Sequence, residues 1–208
     1  MILIGQYDSP FVRRVGIALT LYGMDFEHRR WSVFGDAEAL RAVNPLVRVP
    51  VLVLADGTAL ADSHMILDYL DTLVSASQTL FPRQEPARHR ALRIAALACG
   101  LGDKALSLFY ERRLHADVSP VWVQRCEGQI RSVLARLDAE RALRPGPFWF
   151  GDTPGHADIA LACMLRFTSE AHPGLVDPAT CPRISADAAG LEDRAVFKAI
   201  WQAFIPPA

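Results

Sequence analysis

The sequence predicts a small α/β domain followed by an all-helical domain, and three observations lead to that prediction. Strand-like and helix-like segments alternate over residues 1–73. A polar, proline-bearing stretch follows. Beyond it, apolar residues recur at helical spacing almost to the end of the chain. We therefore expect an N-terminal domain at 1–75, a linker at 76–86 and a helical domain at 87–208.

The first three elements are a strand, a helix and a strand. Residues 2–6 predict the first strand. A Ser-Pro pair then opens a helix, because Ser9 is a favoured N-cap and Pro10 costs nothing at the first helical position. Gly23 ends this helix after about residue 22. Residues 25–31 alternate weakly in polarity and predict the second strand.

A short helix, two strands and another helix complete the domain. β-branched residues favour strands, an Asp-Gly pair favours a hairpin turn, and Asp or Ser favours a helix start. The segments are the helix at 36–43, ended by Asn44-Pro45, the strands at 51–54 and 58–60 around Asp56-Gly57, and the helix from Asp62 or Ser63 to residue 73. This order of elements is that of the thioredoxin-like fold.

The second half predicts helices only, and they fall at 88–114, 119–143, from about 155, at 182–189 and at 193–204. The third of these begins without a hydroxyl cap, because Gly155 stands at the N-cap. We expect Asp158, three residues on, to accept a hydrogen bond from the cap backbone. His156 is expected to be an exposed residue of the first turn.

Composition excludes several classes of protein. The 208 residues carry a formal net charge of -1, with 51% hydrophobic and 22% charged residues. These values fit a globular protein, and no basic stripe indicates nucleic-acid binding. No apolar run is long enough to span a membrane. The four cysteines show neither a metal-binding nor a redox spacing, so we expect no metal, and a cytoplasmic location.

The Ser9-Pro10-Phe11-Val12 segment is the first candidate site. A helix N-terminus has free N–H groups and a positive dipole end, which favour an anion such as a thiolate. A hydroxyl donor at Ser9 would lower the pKa of that thiol further, and Arg13 and Arg14 lie one turn into the helix. Taken alone, the pattern favours a simple helix cap, because serine is common at that position.

Two further pairs of residues are candidate ligand-binding positions when they are considered together with the first site. A cis peptide at Val49-Pro50 would direct the backbone N–H and C=O of Val49 toward a peptide ligand, although most X–Pro bonds are trans. Asp62-Ser63, at the next helix start, could bind an ammonium group and a carboxylate. An ordinary N-cap remains the alternative.

In their order and arrangement these motifs resemble the cytosolic glutathione S-transferases. The stretches from Tyr7 to Arg14 and from Asn44 to Leu52 are most similar to the bacterial YibF-like group, and the two-domain plan extends the resemblance over the whole chain. No cysteine stands at positions 9 and 12, where glutaredoxin-like relatives have their redox pair, so dithiol exchange at this site is excluded.

The resemblance implies specific roles for these residues. Ser9 would be the catalytic residue that activates the glutathione sulfur, and Tyr7 is a minority alternative. The implied glutathione-binding residues are Ser9, Phe11, Arg48, Val49, Pro50, Asp62 and Ser63. Tyr7, Trp31 and Tyr110 are candidates for an electrophile pocket, with core packing as the alternative.

The implied function is conjugation of reduced glutathione, a co-substrate rather than a bound cofactor, to a small electrophile. The resemblance also implies a homodimer. Two alternatives stay open at this point. One is a binding or regulatory protein of the same fold without turnover, such as the stringent-starvation type. The other is a glutathione-dependent isomerase or dehalogenase.

Overall fold

The computed structural model describes residues 1–206 and divides the chain into two compact units. The first comprises Met1–Leu80 together with the C-terminal residues from Arg194, and the second comprises Phe81–Asp193. The elements of the first unit are β1 (Ile2–Ile4), α1 (Pro10–Leu21), β2 (Glu27–Arg29), α2 (Ala37–Val43), β3 (Val51–Val53), β4 (Ala59–Ala61) and α3 (Ser63–Thr72). The remaining helices are α4 (Ala87–Leu114), α5 (Pro120–Ala142), α6 (His156–Ala171), α7 (Pro182–Glu192) and α8 (Ala195–Ala199).

The sheet of the first unit has four strands in the order β2-β1-β3-β4. β1 pairs with β2 in parallel and with β3 antiparallel, and β3 pairs antiparallel with β4. A small mixed sheet with helices, followed by a helical half, is the predicted fold class, which is confirmed. The first three predicted strands are longer than the observed ones, because pairing covers three residues in each, and the fourth is one residue out of place.

The C-terminal segment packs on the first unit, a placement that differs from the expected domain at 87–208. Buried Arg13, on α1, donates hydrogen bonds to the carbonyl oxygens of Ile200 at 2.8 Å and Phe197 at 3.0 Å. Its guanidinium also lies 5.5 Å from the centre of the Phe197 ring. Arg13 therefore holds Phe197 and Ile200 against α1, a role that the sequence did not indicate. The last helix is also shorter than the expected 193–204.

In the second unit α4 packs against α5 and α6, and α6 packs against α7. Asp158 accepts a hydrogen bond from the Gly155 backbone N–H at 2.9 Å, as predicted for a helix with glycine at its cap. The expectation for His156 is wrong, because its side chain is fully buried and its ring centre lies 4.6 Å from that of Phe81. The Phe81 ring covers part of this first-turn residue.

No helix within residues 1–206 combines the length and the apolar character that crossing a membrane requires. The same residues contain no group of three or more His, Cys, Asp or Glu side chains arranged to hold a metal ion.

Candidate functional site

One edge of the sheet brings the three sequence motifs together. Ile4 pairs with Val51, and Val51 pairs with Ala61. Extending this register by one residue puts Pro50 beside Gly5 on one side and Asp62 on the other. The carboxyl ends of β1 and β4 and the start of β3 therefore meet at the same edge, which we call the site edge. The N-terminus of α3 follows within two residues of β4, and α1 begins at Pro10, after the loop that follows β1.

Gly5 allows the close approach on which the site edge depends. Its φ of 127° is a conformation that glycine adopts readily. A Cβ atom at this position would lie 2.5 Å from Cγ2 of Val12 and 2.8 Å from Cβ of Val49. The first turn of α1 and the residue before Pro50 therefore touch the same glycine. Gly5 is not among the site residues predicted from the sequence, although a glycine directly after a strand is a recognisable signal.

Ser9 is the N-cap of α1 and is half-buried. Its Oγ accepts a hydrogen bond from the Val12 backbone N–H at 3.5 Å, which is long for such a bond. The Ser9 hydroxyl proton has no acceptor among residues 1–206 and can be donated to a ligand. α1 carries no acidic residue in its first turn, so the positive end of its dipole is not offset by a carboxylate there.

The Val49–Pro50 peptide bond is cis, as the resemblance implies. The loop before it is held by Asn44, which is buried. The Asn44 side chain donates to the Arg48 carbonyl oxygen at 2.9 Å and accepts from the Leu46 backbone N–H at 3.1 Å. Asn44 thus fixes the backbone that leads to the site edge. From the sequence Asn44 is predicted only to end a helix, although Asn-Pro is also a turn signal.

Backbone strain marks two positions at the site edge. Val47 has a φ of 49° and Asp62 a φ of 71°, and neither residue favours the left-handed region. Such residues cost about 1–3 kcal/mol each and cluster at functional sites. The Asp62 carboxylate accepts from the His64 backbone N–H at 2.8 Å, which caps α3. Asp62 itself is exposed and can also reach a ligand.

Ser63 is the first residue of α3 and is buried. Arg14 of α1, also buried, donates from Nη1 to the Ser63 Oγ at 3.4 Å. This bond links the two helices behind the site edge. Because Ser63 accepts from the guanidinium, its own hydroxyl proton can be donated elsewhere. Arg48 is exposed and Phe11 is half-buried, both within the first unit.

The Tyr7 side chain lies in the interior of the first unit. Its ring stacks on His28 with the ring centres 3.9 Å apart, and its Cε1 atom would be 2.8 Å from a Cβ at Gly16. Gly16 is two turns along α1 from Ser9, so the phenol is directed away from the start of the helix. Burial raises the pKa of Tyr7 to about 12, which disfavours the phenolate.

Replacing Tyr7 by phenylalanine is therefore expected to leave any thiolate chemistry at the site edge within about twofold of the original kcat/KM. The ring contacts are retained, and the lost hydroxyl is remote from Ser9. Steady-state kinetics of Tyr7→Phe with glutathione as the varied substrate test this. A fall of tenfold or more would assign the sulfur to Tyr7 instead.

The other two aromatic candidates lie in different units. Trp31 packs against the small core formed by Ile4, Leu40 and Val51. Tyr110 belongs to α4 and is half-buried, with its ring centre 6.0 Å from that of Phe109. The Arg29 guanidinium also lies 5.9 Å from the centre of the Trp31 ring.

Comparison with known families gives two matching models. The model described as "Glutathione S-transferase, N-terminal domain" matches residues 3–78, and the model for the C-terminal domain of the same family matches residues 120–201. Among curated proteins, the uncharacterized GST-like protein YibF of Escherichia coli K12 is 30% identical over 171 residues, which cover 80% of this chain and 81% of YibF. Glutathione S-transferase U17 of Arabidopsis thaliana is 32% identical over 167 residues, covering 79% and 72%.

Solved structures show the same similarity. A glutathione S-transferase of Methylobacterium radiotolerans JCM 2831, in complex with glutathione sulfonate, aligns with a TM-score of 0.88 at 28% identity and covers 100% of this chain and 98% of that one. A glutathione S-transferase of Methylobacillus flagellatus KT with bound glutathione aligns with a TM-score of 0.87 at 27% identity and covers 96% and 98%.

Proposed function

Because the chain belongs to the glutathione S-transferase family, we propose that it binds reduced glutathione at the site edge, stabilises its thiolate through Ser9 and transfers it to a small electrophile. Membership confirms the resemblance drawn from the sequence. The observation that carries the proposal is the meeting of Ser9, Val49-Pro50 and Asp62-Ser63 at one edge of the sheet, directly before the N-termini of two helices.

The thiol step follows from the surroundings of Ser9. A hydrogen bond from its hydroxyl to sulfur favours the charged form, and so does the dipole of α1. A thiol with an ordinary pKa of about 8.5 is mostly protonated at neutral pH, and these two effects lower the pKa. The larger thiolate fraction then attacks the electrophile, forming a C–S bond while the leaving group departs with its electron pair.

The remaining residues would hold the tripeptide. The backbone N–H and C=O of Val49 pair with the cysteinyl part of glutathione, beside Pro50. Asp62 pairs with the γ-glutamyl ammonium group, and the Ser63 hydroxyl donates to the γ-glutamyl carboxylate near the N-terminus of α3. The exposed Arg48 pairs with the glycyl carboxylate, and the first-turn backbone at Phe11 borders the sulfur. Glutathione or glutathione sulfonate bound in the solved relatives supports this ligand.

The fold supports two other functions. One is a binding or regulatory protein without turnover, and the other is a glutathione-dependent isomerase or dehalogenase that uses the same thiolate. The free hydroxyl proton at Ser9 favours an enzyme, because a protein that only binds the peptide needs no donor aimed at sulfur. A homodimer in the cytoplasm, with detoxification as its role, completes the proposal by analogy with the family.

Calorimetric titration tests the ligand and its orientation. Glutathione is expected to bind, and Ser63→Ala is expected to weaken it about tenfold by removing a charge-assisted hydrogen bond. Cysteinylglycine, which lacks the γ-glutamyl group, serves as the control: its weaker binding should not respond to Ser63→Ala. If glutathione does not bind to the wild-type protein, the proposal fails.

Turnover separates the enzyme from the binding protein. With chlorodinitrobenzene as a general electrophile, the proposal expects glutathione-dependent formation of the conjugate. Glutathione binding without conjugation to this or to a panel of other electrophiles would favour the regulatory alternative. Release of halide that leaves no glutathione conjugate, or isomerisation without net consumption of glutathione, would favour the third.

A further inference from the structure

The turn that precedes α1 positions Ser9. The Ser9 backbone N–H donates to the Gln6 carbonyl oxygen at 3.2 Å, which closes a turn with Tyr7 and Asp8 at its centre. The Ser9 carbonyl oxygen then accepts from the Arg13 backbone N–H at 2.9 Å, at the start of the helix. The direction of the Ser9 hydroxyl therefore depends on how Tyr7 and Asp8 are held.

Both central residues of this turn are bound to the C-terminal segment at 200–206, which we call the tail. The Tyr7 backbone N–H donates to the Gln202 Oε1 at 3.2 Å. The Asp8 Oδ2 accepts from the Ile205 backbone N–H, also at 3.2 Å. Turn and tail belong to the same unit, although the paired residues are 195 and 197 positions apart in the chain. The tail therefore holds the turn at two successive residues.

The start of the tail is fixed to α1 by contacts that do not involve Gln202. The side chain of Ile200 is buried, and its carbonyl oxygen accepts from the Arg13 Nε at 2.8 Å. Its Cγ2 atom would lie 3.0 Å from a Cβ at Gly16, so the absence of a side chain there makes room for Ile200. Gln202 follows two residues later. A substitution confined to Gln202 is therefore expected to leave the start of the tail in place.

Beyond Ile200 the tail has no regular secondary structure, and most of its residues up to 206 are exposed. Chain ends of this kind open locally unless specific contacts hold them. The Gln202 amide supplies such a contact without adding charge, and a neutral acceptor near Ser9 does not oppose a negatively charged sulfur. Gln202 is half-buried, which partly shields its hydrogen bond to Tyr7 from competing water.

We propose that Gln202 is a positioning residue for the proposed thiol chemistry. Through the Tyr7 N–H it holds the turn in the conformation in which Ser9 donates its hydroxyl proton to the sulfur of glutathione. This inference rests on the proposed function, because the group that it positions is the donor to sulfur. The Gln202 amide oxygen contacts the turn, so its effect on sulfur passes through Ser9. A displacement of about 1 Å in such a group is enough to slow catalysis strongly.

Amide hydrogen exchange in the ligand-free protein, followed by NMR, tests the contact itself. Gln202→Met keeps the length of the side chain and removes the acceptor, so exchange of the Tyr7 and Ser9 amides is expected to become about fivefold faster. Gln202→Glu retains an acceptor and should restore slow exchange. Gln78→Met is the matched control, because the Gln78 Oε1 accepts from the Ser75 backbone N–H at 3.4 Å elsewhere in the first unit. Unchanged exchange in Gln202→Met would overturn the inference without bearing on the proposed function.

The pKa of the bound glutathione thiol, followed by thiolate absorbance, tests the consequence for the chemistry. Gln202→Met should raise this pKa by about half a unit, because the donor to sulfur is less well placed. The affinity for glutathione should stay within about twofold, since Val49, Asp62 and Ser63 still hold the tripeptide. In a Ser9→Ala background the same substitution should leave the thiol pKa unchanged, because the donor on which it acts is already absent.

Equal rises of the thiol pKa in both backgrounds would overturn the inference, because Gln202 would then act without Ser9. A lowered thiol pKa in the wild-type protein that Gln202→Met does not change would overturn this inference alone. A thiol pKa in the wild-type protein equal to that of free glutathione would contradict the proposed function and this inference with it. The wild-type value therefore distinguishes the two failures.

Discussion

Ser9→Ala is expected to lower kcat/KM for conjugation of glutathione to chlorodinitrobenzene about a hundredfold, because loss of one donor to a negatively charged atom costs roughly 10²–10³ in rate. The substitution removes the hydroxyl and keeps the helix dipole. With glutathione saturating, the pH profile of kcat/KM for chlorodinitrobenzene reports the glutathione complex, and its pKa should rise toward that of free glutathione because fewer bound thiols are ionised at neutral pH. Stopped-flow or steady-state rates across the pH range measure both effects.

A matched control separates the chemistry from the helix cap. Ser119 also precedes a proline at a helix start, and its Oγ accepts from the Trp122 backbone N–H at 3.3 Å. Ser119→Ala therefore removes an equivalent cap, which is worth about 1 kcal/mol of stability, and should leave the rate and its pH profile unchanged. Ser9→Thr keeps a hydroxyl and should retain most of the activity. Equal rate losses in Ser9→Ala and Ser119→Ala would show that Ser9 acts only as a cap.

Asp158→Ala is expected to destabilise the protein by about 3 kcal/mol, because two backbone donors lose their acceptor and each buried unsatisfied group costs about 1–3 kcal/mol. The buried carboxylate accepts from the Trp149 N–H at 3.0 Å and from the Gly155 N–H at 2.9 Å. It thus ties the approach to α6 onto the first turn of that helix. Urea unfolding followed by circular dichroism gives the change in the free energy of unfolding.

Asp138 supplies the control for this prediction. Its carboxylate also accepts from two backbone N–H groups, those of Arg183 at 2.8 Å and Ile184 at 3.0 Å, but in a less buried setting. Water can replace the lost acceptor there, so Asp138→Ala should cost less than Asp158→Ala. Equal losses in the two variants would contradict the importance of burial at Asp158.

The pH dependence of the Asp158 contribution has a definite sign. Burial raises the pKa of Asp158 in the folded protein, although backbone hydrogen bonds oppose this. Relative to Asp158→Asn, the wild-type protein should therefore be most stable below the unfolded pKa of about 3.9. This advantage is lost as pH rises through the raised folded pKa. Unfolding curves for the two proteins at a series of pH values test the sign.

Short sequence patterns were sufficient to predict most elements of the first unit and the capping hydrogen bond of Asp158. The Ser-Pro pair marked the start of α1, and Asp62-Ser63 marked the start of α3, because helix starts depend on a few adjacent residues. The Asp56-Gly57 pair marked the turn between β3 and β4. These elements already carry most of the residues proposed to bind glutathione.

The roles that were not predicted from the sequence depend on contacts between residues that are distant in the chain. Arg13 was expected to lie near the thiolate, yet its guanidinium binds carbonyl oxygens almost the length of the chain away. His156 was expected at the surface, yet it is buried, with the Phe81 ring packed against it. Gly5 and Asn44 have local signals, but their role becomes visible only when β1, α1 and β3 converge. Periodicity does not encode such tertiary contacts.

The pKa of the bound glutathione thiol measures most directly whether Ser9 stabilises the thiolate. Ultraviolet absorbance of the thiolate, followed against pH with the protein in excess over glutathione, gives this value for the wild-type protein and for Ser9→Ala. We expect a pKa at least about one unit below that of a free thiol, near 8.5, in the wild-type protein, and a higher value in the variant, which retains only the helix dipole. A bound thiol whose pKa equals that of free glutathione in both proteins would contradict the account.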